Sequence, residues 1–154
     1  LPERAADVGG ASLAAGAAKR APERPPLEVV AGGLVAVGDD VAHLRDLARP
    51  MVALYVGGMG ARGRNFYNDL VKRYGFEAEA EKIQDLYLDG HKDEAAAAVP
   101  DALLEATTLC GPEGYVRDRL AAYKEAGVTS LNVTPLSSDI PALVTQLKGW
   151  IAEA

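Results

Sequence analysis

Residues 27–37 read Leu27-Glu28-Val29-Val30-Ala31-Gly32-Gly33-Leu34-Val35-Ala36-Val37, a nearly unbroken apolar run rich in valine. No 3.6-residue period runs through it. A strand buried on both faces reads this way, as in a parallel sheet covered by helices. Gly32 and Gly33 inside the run imply a close backbone approach or a bulge. Gly38-Asp39-Asp40 ends it and offers a carboxylate to cap the next element.

Outward from this strand the pattern turns helical. Val41, Leu44, Leu47, Ala48, Met51, Leu54 and Tyr55 recur at helical spacing, with a kink expected just before Pro50 and an end at Gly57-Gly58. Shorter helices are expected over 65–74, 77–88, 92–98 and 100–108, with Pro100 at the first position of the last. Gly111-Pro112 opens another in the same way, and Gly127 closes it. Residues 128–134 (VTSLNVT) are strongly β-prone, and Pro135 ends that strand. Ser138 is the expected cap of a final helix whose Ile140, Leu143, Val144, Leu147, Trp150 and Ile151 form one apolar face. On the other side, residues 2–20 form a loose alanine-rich helix interrupted by Gly9-Gly10, and Pro22, Pro25 and Pro26 make an extended connector. Helix–glycine–strand units belong to parallel α/β folds. Two strands make a poor sheet, so the pattern describes part of a larger one.

Composition narrows the function. The chain has 154 residues, of which 49% are hydrophobic and 25% charged, as in a globular domain. Alanine supplies 28 of them, so the bulky core is modest. No run reaches the ~18 apolar residues of a membrane helix. A net charge of −6 argues against nucleic acid as a partner. A single cysteine, Cys110, excludes an internal disulfide or a Cys-pair zinc site, and two distant histidines, His43 and His91, argue against a metal centre. The reducing cytoplasm is the expected compartment. The chain opens Leu1-Pro2-Glu3-Arg4 with no methionine and no signal-peptide pattern, as a processed, trimmed or partial polypeptide does.

Several residues carry candidate chemistry. Gly58-Met59-Gly60-Ala61-Arg62-Gly63 spells G-x-G-x-x-G, the turn that seats a pyrophosphate on a helix N-terminus. The stretch before it continues a helical period, and the acidic residue wanted ~20 positions on falls within Glu77–Glu81, inside another. A loop between helices, or an anion loop using Arg62 and Arg64, are the other readings. Asn65-Phe66-Tyr67-Asn68 packs two amides and two aromatics around a helix start. Asn65 reads as an N-cap, and Tyr67 and Asn68 as core or ligand contacts. Tyr87 and Tyr123 read as core or subunit contacts. Asn132 and Thr134 are polar residues on one face near the C-terminal end of their strand, where α/β folds place functional groups, and a structural role is equally open. Ser137 and Ser138 read as caps or phosphate ligands. His43 flanks the apolar face of its helix and is expected half-buried, while His91 is expected exposed. No G-x-S-x-G elbow is present. Cys110 has no nearby base and reads as inert. These residues alone define no catalytic constellation.

The stretches Ala53-Leu54-Tyr55-Val56-Gly57-Gly58-Met59-Gly60 and Asn65-Phe66-Tyr67-Asn68-Asp69-Leu70 resemble the luciferase-like oxidoreductases. More specifically they are similar to the mycobacterial-type branch that uses a deazaflavin, coenzyme F-420. Ile83–Tyr87, Lys92–Pro100, Gly111-Pro112 and Ala126–Thr129 agree in order and spacing. The resemblance implies a (β/α)8 TIM barrel, which needs ~250 residues, so this chain would be its C-terminal portion. It would form a single partial domain over 1–154, with strands at about 29–37 and 128–134 as the seventh and eighth, and a helical insertion at about 64–110. The implied reaction is hydride transfer between coenzyme F-420 and an organic substrate, with FMN-dependent monooxygenase chemistry as the alternative. The implied pocket wall is Gly57, Gly58, Arg62, Asn65, Tyr67, Asn68, Asn132 and Thr134. Implied partners are a small-molecule substrate and either the rest of the barrel or a second subunit in a homo-oligomer. Most coenzyme contacts would come from strands that this chain lacks, so the isolated chain is expected to be inactive. A rival expectation is a non-catalytic α/β module that pairs with itself through its sheet edges.

Overall fold

The computed structural model describes residues 1–153. Three parallel strands form the sheet: β1 (Val30–Val37), β2 (Leu109–Gly111) and β3 (Ser130–Pro135), in the order β2-β1-β3. Eight α-helices accompany them: α1 (Ala11–Ala17), α2 (Val41–Ala53), α3 (Phe66–Arg73), α4 (Glu77–Leu88), α5 (Lys92–Ala97), α6 (Asp101–Thr107), α7 (Glu113–Glu125) and α8 (Ile140–Glu153). A 3-10 turn at Pro2–Arg4 and a π-helical turn at Ala6–Gly10 precede α1, and a second π-helical turn, Leu54–Gly58, extends α2.

The central run is the central strand. β1 pairs with β3 from Val30 opposite Ser130 to Val35 opposite Pro135, and with β2 from Val35 opposite Leu109 to Val37 opposite Gly111. Side chains alternate across a strand. Leu34 and Ala36 therefore join the core of α2, α4, α5 and α6, with Ile83, Leu103 and Cys110. Val35 faces the other way, into a second core with Leu109, Val116, Leu120, Leu143, Leu147 and Trp150 from β2, α7 and α8. The sheet is thus covered on both faces, as its apolar sequence requires. Gly32 provides the close approach: a Cβ there would overlap the Asn132 carbonyl of β3.

Four local features differ from the sequence reading. The stretch up to residue 110 is not wholly helical, because Leu109–Gly111 adds a third strand. Its three residues are too few to show a period. α2 runs on through Pro50 without a break. Arg49 holds it there, donating to the Asp46 carboxylate at 2.7 Å and also to Asp101 and the Val99 carbonyl. The cap of α8 is Asp139, whose carboxylate accepts from the Ala142 N–H at 3.1 Å; Ser137 accepts from the Asp139 N–H, and Ser138 is exposed. Pro100 and Pro112 are N-caps, one position before the first helical residue.

Candidate functional site

The turn between α2 and α3 is sewn by side-chain amides. A helix that ends leaves carbonyls without N–H partners. Here Asn65 donates from Nδ2 to the Tyr55 and Val56 carbonyls, both at 3.0 Å. Its Oδ1 accepts from the Tyr67 and Asn68 N–H groups at 3.0 and 3.2 Å, capping α3. Asn68 donates to the Val56 carbonyl at 3.1 Å and to the Ala80 carbonyl of α4 at 2.7 Å. Both asparagines are buried. Gly57 and Gly58 lie against Tyr87 of α4: a Cβ on Gly57 would collide with the base of that side chain, and one on Gly58 with its ring. Arg62 faces α4 as well, paired with Asp85 at 2.6 Å and Asp89 at 3.2 Å. The G-x-G-x-x-G segment therefore follows a helix and lies against a helix. It does not open a strand–turn–helix unit, and the dinucleotide reading has no structural support.

A cavity of about 350 Å³ lies between the sheet and the helices of this turn. Of the pocket-wall residues implied by the resemblance, Tyr67 and Thr134 line it, and so does Tyr123, which the sequence reads as core or subunit contact. Asn132 is exposed on the same face of β3 as Thr134, two residues earlier. Gly57, Gly58, Arg62, Asn65 and Asn68 build the turn behind the wall. The wall also takes Gly32 and Gly33 of β1, Met51 of α2, Tyr55 of the π turn, Tyr74 after α3 and Thr107 of α6. Sequence reasoning had flagged the glycine pair. It missed Met51 and Tyr55, whose helical spacing reads as core.

The chemistry of this wall is mild. Tyr55 and Tyr67 meet edge to face with ring centres 4.7 Å apart, and Phe66 meets Tyr67 in the same way at 5.5 Å. Thr107 donates to the Leu103 carbonyl at 2.6 Å and Thr108 to the Leu104 carbonyl at 2.7 Å, each one turn back in the chain. Burial raises the hydroxyl pKa of Tyr74 and of Tyr123, another wall residue, so both stay protonated. No Asp, Glu, Lys, Arg or His side chain is among the lining residues. His43 is exposed rather than half-buried, and His91 is exposed and lies 3.0 Å from Glu94. Cys110 is buried, and burial pushes its thiol up, away from the reactive thiolate.

Residues 1–130 match the family described as luciferase-like monooxygenase. The chain belongs to that family. A Mycobacterium tuberculosis relative, provisionally named a coenzyme F420-dependent oxidoreductase, is 37% identical over 125 residues. That match covers 79% of this chain and 36% of the relative, so the chain spans about a third of the relative's length. No solved structure matches the chain. Within this luciferase-like chain, no helix among the described residues is long and apolar enough to cross a membrane.

Proposed function

We propose that this sequence is the C-terminal part of a deazaflavin (coenzyme F-420)-dependent oxidoreductase. The observation that carries the reading is the 37% identity to a relative provisionally named for that coenzyme. When bound, a deazaflavin takes or gives a hydride. The residues present do not fit the coenzyme ring: its polar edge needs a row of facing donors and acceptors, and among the described residues the cavity's side chains offer only tyrosine and threonine hydroxyls, with no amide or charged group. We therefore assign the coenzyme to strands outside this chain and give the cavity to the substrate side. Tyr67 and Thr134 contact the substrate there, and the Asn65–Asn68 clamp fixes the helix that carries Tyr67. The acid and base groups of the reaction also lie outside, because no Asp, Glu, Lys, Arg or His side chain among the described residues lines the cavity.

The architecture supports a sector of a (β/α)8 barrel. β1 and β3 are parallel neighbours, as consecutive barrel strands are, with α7 and α8 behind them. β2 occupies the other edge of β1, where a preceding barrel strand would pair. The remainder of the barrel, a small-molecule substrate and a second copy are the partners of this reading, and the cytoplasm is its compartment. FMN-dependent monooxygenase chemistry is the second reading, favoured by the description of the family itself.

The test uses the native protein, purified from its source and identified by peptides of this sequence. Reduced coenzyme F-420 is mixed with it and candidate acceptors, and the ring absorbance is followed. Acceptor-dependent reoxidation without oxygen supports the proposal. Oxygen-dependent turnover with FMN, and none with F-420, overturns it.

A further inference from the structure

We propose that the cavity between the sheet, α2, α3 and α6 seats an uncharged, ring-bearing apolar group. The oxidoreductase reading enters only in calling that group part of the substrate. A volume of about 350 Å³ lies near the small end of ligand pockets and admits one or two fused rings. Tyr67 and Tyr55, 37% and 38% exposed, both line the cavity and stand edge to face, so that the pair can offer both a ring edge and a ring face to a planar guest. Met51, on the same wall, adapts its shape to an apolar contact.

The same wall excludes charge. An anion or cation brought into it finds no opposite side chain and loses its water. The Thr107 and Thr108 hydroxyls are engaged with helix carbonyls one turn back, which leaves Thr134 as the threonine hydroxyl open to a neutral polar atom of the guest. A neutral ring matches the uncharged side chains of this wall.

The experiment is a titration of the 154-residue chain with 2-naphthol and with its near-isostere 2-naphthoate, at neutral pH, by calorimetry and ligand-observed NMR. The expected result is saturable binding of 2-naphthol, with 2-naphthoate weaker by about tenfold or more because its carboxylate is left unpaired. Tyr67→Ala is expected to weaken 2-naphthol roughly tenfold. Met51→Trp, which fills the space instead of enlarging it, is expected to weaken it as well. Ile151→Ala on α8, behind the other face of the sheet, is expected to leave it within about twofold. Far-UV circular dichroism confirms that each variant is folded. Equal binding of the two probes, no saturable binding of 2-naphthol by the folded chain, or a folded Tyr67→Ala chain that binds it unchanged would each overturn the proposal. Failure of the coenzyme assay with 2-naphthol binding intact removes the oxidoreductase reading alone, and the converse removes the cavity assignment alone.

Discussion

Asn65 shows how one side chain is used four times. Its oxygen caps α3, and its nitrogen closes two carbonyls of the π turn. Asn65→Ala removes the cap of α3 and the donor to the Tyr55 carbonyl, while the Val56 carbonyl keeps Asn68, and is expected to cost about 2–3 kcal/mol, read as a lower thermal midpoint. Asn65→Asp keeps the cap but points a carboxylate at two carbonyls. It is expected to destabilise at least as much as alanine, and full stability in the aspartate variant would show that only the cap matters. The cap was legible in the sequence because it is local, reaching two and three residues ahead. The donor side was not, because it depends on a π turn that no hydrophobic period announces. The resemblance accordingly placed the same residue on the pocket wall. Tyr115 belongs to this scale too. It donates to the Thr108 carbonyl at 2.9 Å, and burial pushes its pKa up to about 12 from 10.0. The fold favours the protonated phenol, so this contribution is intact below pH 10.0 and is lost as pH rises towards about 12. Denaturation midpoints of the wild type are expected to fall across that window, and those of Tyr115→Phe to fall less.

At the scale of elements, the π turn and α4 pack through glycine. Gly58→Ala drives a methyl group into the Tyr87 ring and is expected to destabilise by about 1–3 kcal/mol. Adding Tyr87→Ala removes the obstacle, so a double-mutant cycle is expected to show strong coupling between the two sites. Additive effects would place the cost elsewhere. For α8, Asp139→Ala is expected to lose about 1 kcal/mol and Ser138→Ala about 0.5 kcal/mol or less, read from the same melting curves. The helix itself was legible from its apolar face, but Ser138 and Asp139 are both good caps and sequence could not rank them. The bounds of α4 were legible to the residue, since Gly75 and Gly90 punctuate a clean period. β2 was not, because its pairing with β1 comes from the fold and not from its own three residues.

For the whole molecule, the apolar run at residues 27–37 set the parallel architecture, and β1 indeed lies between its two neighbours. The same reading called for more strands than the chain contains. β3 keeps an edge unpaired in the sheet among the described residues, and the chain spans 36% of the relative's length. The cavity was only partly legible. Tyr67 and Thr134 stood out as polar or aromatic residues in apolar surroundings, whereas Met51, Tyr55 and Thr107 meet them only after the helices fold over the sheet. The central claim is that this wall belongs to a coenzyme F-420 oxidoreductase. Its most direct test is an equilibrium titration of the natively purified protein with oxidised F-420 and, separately, with FMN, after an intact-mass measurement. The account predicts a mass well above the 16.1 kDa of this chain and saturable binding of F-420 in preference to FMN. A mass of 16.1 kDa, or binding of FMN with no response to F-420, would contradict it.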